Sequence, residues 1–524
     1  MNVRTSMTRR KALQLLAAAV PALSVANALA AAKAAAGRPA RRPPLLEATH
    51  ESLQAYRCPE WFRDAKFGIW AHWGPQSAAE CGDWYARNMY IEGCRQYRYH
   101  VQHYGHPSKY GYKDLIPTWH GKDFDPQHLV RLYKKAGAKY FVSMGAHVDN
   151  FDMWNSKHTR WNAANMGIKK DVVALFRKAA HRQGLRFGVS DHLWMAYKWM
   201  SVSRGSDKEG PLAGVPYDGV DPQYSDLYED CPKVYRQLPW DEEGIPDKWK
   251  RRWFERIKDL FDQSEPDYVY SDGGIPFGNY GLELVAHLYN QSARLHGGEV
   301  QAVYTSKVEE DSKSGMCVFD KERGVVDSIW PQPWQTCTCV GKWHYDREAQ
   351  YKTPKRVIDM LVDIVSRNGN LLLNFPLPNS GALDERELKT LDAITRWMTV
   401  NGEAIYGTRP WKIFGEGPNI TKPEPGQKYN ETNRKDFTHE DVRFTAKGKT
   451  LYTFFMGWPE KQEIVIAPLA TNRPCVTGKV RHVRLVGHGG SLKWTHDESG
   501  LTVKLPVEKP CEHACALKIE GLET

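Results

Sequence analysis

The sequence predicts an α/β protein: a (β/α)8-type, TIM-like barrel followed by a C-terminal antiparallel β-sandwich. Three observations carry this expectation. Strand-like and helix-like segments alternate from about residue 66 to residue 400. The β-prone run Asp267-Tyr268-Val269-Tyr270-Ser271 ends on Asp272 and two glycines, which is how a barrel strand presents a catalytic group at its mouth. From residue 408 the chain turns to short β-prone runs divided by Gly, Pro, Asn and Asp, the texture of a small sandwich. No GxGxxG motif follows a strand, which argues against a doubly wound sheet.

The first 36 residues read as an export signal and the start of a linker. They carry Arg4, Arg9, Arg10, Lys11 and Lys33 and no acid. Thr8-Arg9-Arg10-Lys11 precedes an Ala-rich apolar stretch over 12–32, with Ala28-Leu29-Ala30 as a small-residue cleavage site. The paired arginine resembles a twin-arginine signal, implying a bacterial periplasmic or secreted protein with no membrane span after signal removal. An uncleaved anchor helix is the alternative, weakened by Pro21. A Pro/Arg/Ala-rich linker near 31–45 leads to the barrel, placed at residues 46–407. Its strands are expected at 66–73, 139–146, 186–190, 267–271, 301–305 and 371–375. Helices are expected at 126–137, 170–184, 249–263, 282–295, 354–367 and 384–400, the first with Leu129, Leu132 and Tyr133 on one face. The sandwich, 408–524, has expected strands at 450–455, 462–466, 480–485 and 501–507, and reads as a brace or a sugar-binding accessory.

Composition narrows the function. At 524 residues the chain exceeds what one core supports. Its net charge is +10, but five of those charges sit in the first 36 residues and no basic stripe follows, which argues against nucleic acid. The 19 tryptophans, many beside Gly, Asp or His, suit the aromatic walls of a carbohydrate cleft. Ten cysteines fit an oxidising compartment, yet Cys337-x-Cys339 and Cys511-x3-Cys515 match no zinc framework. There is no HExxH and no tight His/Asp cluster in sequence. No metal and no cofactor is therefore expected. A homo-oligomer is compatible with the sequence.

Four segments together resemble the α-L-fucosidases of glycoside hydrolase family 29. They are the run from Trp61 to Gly74 (WFRDAKFGIWAHWG), Asp83-Trp84-Tyr85-Ala86-Arg87-Asn88-Met89-Tyr90, the Asp272 segment, and Asn368-Gly369-Asn370-Leu371-Leu372-Leu373-Asn374 with Asn401-Gly402-Glu403-Ala404-Ile405-Tyr406-Gly407. The resemblance implies an exo-acting retaining hydrolase that releases α-L-fucose from oligosaccharides or polysaccharides with two carboxyl groups. Asp272 stands at the nucleophile position, against the blander reading of an Asp-Gly turn cap. Many relatives carry the acid just after a Trp, where this chain has Trp334-Gln335; another branch places it in a Glu-x-Gly setting, which Glu322-Arg323-Gly324 matches. Glu322 is thus the expected acid/base, with Glu309 and Glu310 as rivals and Arg323 expected to point elsewhere or contact substrate. His72, Trp84, Tyr85, His147 and Trp334 are the substrate contacts that the resemblance implies. Val148 replaces the second residue of a His-His pair, and His192 is a candidate to restore that hydrogen bond. These departures leave an α-L-galactoside or a branched or sulfated fucoside as alternative substrates, and the loss of the usual Glu leaves a catalytically inactive fucose-binding protein as the alternative class.

Overall fold

A computed structural model describes residues 45–420, 422–424, 427 and 429–524; the expected export signal lies outside the described residues. Eight parallel strands close into a barrel: β1 Phe67–Ala71, β2 Tyr140–Ala146, β3 Arg186–Asp191, β4 Tyr268–Ser271, β5 Val303–Ser306, β6 Val318–Asp320, β7 Trp334–Cys339 and β8 Gly369–Asn374. Closure is made by β1, which pairs with β2 on one side (Gly68 opposite Tyr140) and β8 on the other (Phe67 opposite Leu371). Every residue of β1 and β2 is buried, as strands covered on both faces must be. Alternate residues turn inward, where Trp70, Tyr140, Val142, Tyr268 and Leu372 fill the barrel with Phe62 below them.

The expected helices are present as Pro126–Lys135, Val172–Arg182, Asp247–Ser264, Asn279–Leu295, Pro354–Ser366 and Glu385–Asn401. Local chemistry sets their starts. Asp125 accepts the amide of His128 ahead of Pro126, and Asp384 with Glu387 makes a reciprocal capping box, each satisfying amides that the first turn leaves open. Two barrel strands were not foreseen. β6 is only three residues long, and β7 reads Trp-Gln-Thr-Cys-Thr-Cys with no apolar run. Its polar residues are used inside the barrel. Tyr140 Oη donates to Gln335 Oε1 at 2.9 Å, and Gln335 Nε2 donates to Tyr268 Oη at 2.7 Å and Asp320 Oδ1 at 2.8 Å.

The C-terminal part holds β9 Arg409–Glu416, β10 Val442–Lys447, β11 Thr450–Phe455, β12 Glu463–Ile466, β13 Gly478–Leu485, β14 Trp494–Asp497, β15 Gly500–Lys504 and β16 Cys515–Leu522. They form two antiparallel sheets, β13-β16-β11-β10-β9 and β12-β15-β14, over one shared apolar core. A buried ionic cluster joins this part to the barrel. Asp363, on the helix Pro354–Ser366, takes Arg443 Nε at 2.6 Å and Arg434 Nη1 at 2.9 Å. Burial alone would raise its carboxyl; Arg367, Arg443 and Arg434 hold it well below the usual range. All ten cysteines are free thiols in this structure. Among the described residues no helix is long and apolar enough to cross a membrane.

Candidate active site

The C-terminal ends of the strands converge on one pocket of ≈ 540 Å³. The residue that follows each of the first five strands points into it: His72 after β1, His147 after β2, His192 after β3, Asp272 after β4 and Lys307 after β5. Glu322 follows β6 by two residues, and Trp343 and His344 come from the loop after β7. Trp70 and Tyr270 form the floor at the top of the barrel interior, and Trp84, Trp194, Trp240 and Tyr429 stand around the opening.

The Asp272 turn is held from several sides. Its amide donates to Asp191 O at 3.0 Å, its carbonyl accepts Trp194 Nε1 at 2.8 Å, and Gly273 O accepts the Lys307 amide at 2.7 Å. Gly273 sits at φ +157°, with a would-be Cβ 3.2 Å from Trp194 Nε1, so a side chain there would strain the turn and crowd the indole. Lys307 Nζ donates to both Asp272 Oδ1 and Glu322 Oε2. Burial would lower the Lys307 ammonium, but the two carboxylates raise it well above its ordinary value, so it stays charged. Two hydrogen bonds to one nitrogen, each no longer than about 3 Å, keep the carboxylate oxygens within about 6 Å of each other.

Across the pocket lies a histidine group. His72, His147 and His192 have ring nitrogens within 4.8 Å of one another, and His344 packs edge-on to His147 with centroids 4.8 Å apart. The expectation of no tight histidine cluster is corrected here: the three come from separate strand ends, which spacing along the chain does not reveal. Burial, before any other cause, lowers all four; His192 falls to about 4 and His344 to about 3. They are neutral imidazoles at neutral pH.

Neighbours fix two of the tautomers. Asn374 Nδ2 donates to Trp343 O at 2.8 Å, so its Oδ1 faces His72 Nδ1 at 3.0 Å as an acceptor. His72 Nδ1 therefore carries the proton and Nε2 is an acceptor. Gln76 Oε1 accepts the Ala86 amide at 3.3 Å, which leaves Gln76 Nε2 to donate to His147 Nδ1 at 3.2 Å. His147 Nε2 is then a donor. His192 Nδ1 and both nitrogens of His344 have no hydrogen-bond partner among the described residues. The group can thus accept from and donate to ligand hydroxyls, and its three clustered imidazoles are also a donor set that a metal ion could use.

Six of the eight sequence-derived site residues line this pocket: Asp272, Glu322, His72, Trp84, His147 and His192. Trp84 is 41 % exposed at φ +62°, a left-handed conformation costly for a bulky residue and typical of functional sites. Two residues lie elsewhere. Tyr85 is fully buried, its hydroxyl 2.9 Å from His100 Nδ1. Trp334 is also fully buried, at the first position of β7 and hence at the far end from the mouth, with Nε1 donating to Arg367 O at 2.8 Å. Of the rivals to Glu322, Glu309 is paired with Lys313 at 2.6 Å on the outer helix Glu309–Lys313, and neither it nor Glu310 lines the pocket. Arg323 is turned away, its Nε 4.0 Å from Glu431. Lys307, His344, Trp343 and Tyr429 escaped the sequence reading: Lys307 sits in a charged run that reads as a solvated loop, and the others lie on segments without a motif.

The family model described as Alpha-L-fucosidase matches residues 34–403, and that of the Alpha-L-fucosidase C-terminal domain matches 434–520. The chain belongs to the alpha-L-fucosidase family. Among its relatives, the plasma alpha-L-fucosidase of Homo sapiens is 27% identical over 502 residues, covering 92% of this chain and 94% of that protein. The tissue alpha-L-fucosidase of Homo sapiens is 26% identical over 495 residues, covering 90% and 91%. The crystal structure of Thermotoga maritima alpha-fucosidase in complex with fucose superposes with a TM-score of 0.67 at 23% identity, over 90% of this chain and 99% of that one; this likeness is one of fold. Membership makes the chain a glycoside hydrolase, and hydrolysis of fucose glycosides is the chemistry it carries.

Proposed function

We propose that this fucosidase acts from glycan ends by a retaining double displacement, with Asp272 as nucleophile and Glu322 as acid/base. One observation carries the reading: both carboxylates hydrogen-bond the same Lys307 ammonium. Their oxygens then lie within about 6 Å, which suits the roughly 5–5.5 Å of retaining enzymes rather than the roughly 6.5–9.5 Å that an inverting enzyme needs for its water. Asp272 attacks the anomeric carbon as Glu322 protonates the departing oxygen. Glu322 then deprotonates the water that cleaves the glycosyl-enzyme. His72 Nε2 accepts from one ring hydroxyl and His147 Nε2 donates to another, while His192, beside His147, supplies the hydrogen bond that the Val148 side chain is unable to make. The rings of Trp70 and Trp343 face the C6 methyl. The pocket floor is closed by the barrel interior, which supports exo action.

Azide rescue of Asp272→Ala and Glu322→Ala on an aryl α-L-fucoside tests the roles. A β-fucosyl azide from the first and an α-fucosyl azide from the second are expected; wild-type rates in either variant would remove that residue from its role. A chelator is expected to leave turnover unchanged, and loss of activity with it would turn the histidine group into a metal site. The unpartnered nitrogens of His344 favour a second substrate with one more hydroxyl, an α-L-galactoside, which assay of the aryl galactoside decides. We read the paired-arginine segment as an export signal; cell fractionation with Arg9 and Arg10 replaced by Lys tests it.

A further inference from the structure

If Glu322 protonates the departing oxygen, the leaving group must depart past Glu322. A second cavity of ≈ 470 Å³ opens there and shares Lys307, Glu322 and Tyr429 with the sugar pocket. One wall is the end of β6. The other is Pro423, Glu424 and Gln427, from the segment between β9 and β10. The C-terminal part of the chain thus reaches the reaction centre, and it is fastened to the loop that carries Glu322. Lys321 Nζ donates to Gln427 O at 2.8 Å, and the amides of Asn430 and Glu431 donate to Arg323 O at 3.2 and 2.9 Å. The Asn430 side chain exchanges two hydrogen bonds of 2.9 Å with the Val325 backbone. Glu431 anchors the strap from below, buried and paired with Lys352 at 2.7 Å.

Tyr429 stands on the divide between the two cavities, its side chain held beside Glu322 and the residue still 45 % exposed. Burial, then the charge of Glu322, pushes its phenol up to about 12, so the ring is neutral.

We propose that this second cavity is the leaving-group subsite and that the Tyr429 ring is its platform. The proposal rests on the retaining fucosidase reading above. Aromatic faces hold the C–H-rich faces of sugars, and an activated aryl leaving group makes less use of such a platform than an unactivated sugar does.

The test uses the full-length protein as wild type, Tyr429→Phe and Tyr429→Ala. Each is assayed on 4-nitrophenyl α-L-fucoside and a fucosyl-hexose disaccharide. In Tyr429→Ala the disaccharide-to-aryl ratio of kcat/KM is expected to fall about 10-fold, mainly through a higher KM for the disaccharide. Tyr429→Phe keeps the ring and is expected to keep most of that ratio. An unchanged ratio in Tyr429→Ala, or an equal loss in Tyr429→Phe, overturns the platform. Wild type silent on the aryl fucoside would instead sink the fucosidase reading, and the subsite with it.

Discussion

Replacing Lys307 by Met removes an ammonium that both carboxylates share while roughly keeping its volume. Each contact lies at hydrogen-bond distance and the Lys307 side chain is 15% exposed, so solvent screens it weakly. With an effective dielectric near 20, a unit pair at about 3 Å is worth at most about 5 kcal/mol before desolvation is subtracted. Measured costs of breaking buried pairs, about 3–5 kcal/mol, set the expected loss of folding stability. The two carboxylates would then face each other without the Lys307 charge between them. An opposite charge beside a carboxylate favours its ionised form, so the acidic limb of kcat/KM is expected to move upward in pH. The loss of kcat/KM is therefore expected to be largest at acid pH and to shrink as pH rises. Lys307→Arg keeps the charge and is expected to leave the limb near its wild-type place. The assay is the pH dependence of aryl α-L-fucoside hydrolysis for the three proteins, with melting curves alongside. A Lys307→Met limb that coincides with wild type would refute the argument, because the ammonium would then not be setting the charge of the pair.

Three further predictions follow from the same structure. The buried histidines make stability depend on pH: His192 is pushed down to about 4 and His344 to about 3, against about 6.5 when unfolded. Between those values the unfolded chain binds the protons, so stability is complete above about pH 6.5 and falls as pH drops, by about 3–5 kcal/mol per histidine over the full span. Melting curves that stay flat from pH 7 to pH 4.5 would contradict this. Gln76→Leu removes the donor to His147 Nδ1 and frees the ring to adopt the other tautomer, for an expected cost of about 1–3 kcal/mol in binding, read as a higher KM. An unchanged KM would mean that the tautomer of His147 does not matter. Trp334→Phe leaves Arg367 O without its indole donor and is expected to cost about 1–3 kcal/mol of stability with KM unaltered, whereas a raised KM would return Trp334 to the substrate site.

What could be read from the chain followed the strands. Runs such as Phe67–Ala71 and Tyr140–Ala146 are apolar and β-prone, so strand ends are legible, and Asp272 with them, whereas His72, His147 and His192 stand out only through the family resemblance of their segments. β7 hid because its Gln335, Thr336 and Thr338 are hydrogen-bonded inside the protein, and polarity reads as loop when the partners are unknown. With β7 unread, the loop after it was unread too, which concealed Trp343 and His344. The same gap misplaced Trp334: it opens a six-residue strand, and at about 3.3 Å per residue it lies roughly 16 Å from the end that faces the pocket. Tyr85 followed Trp84 in the motif, but the helix Tyr85–Asn88 turns its ring toward His100. Lys307 stands two residues before Glu309 and Glu310, and nothing in that charged run distinguishes a buried cation from a solvated one. Tyr429 depends on a strap from a distant part of the chain, a contact that no local pattern encodes.

The central claim is that Asp272 and Glu322 work as a close pair through a covalent glycosyl-enzyme. Proton NMR of the first sugar released from an aryl α-L-fucoside, recorded before mutarotation, tests it most directly. The account predicts that α-L-fucose appears first and the β anomer only as equilibrium is approached. β-L-fucose as the first product would mean a single displacement by water, and would contradict the pairing on which the account rests.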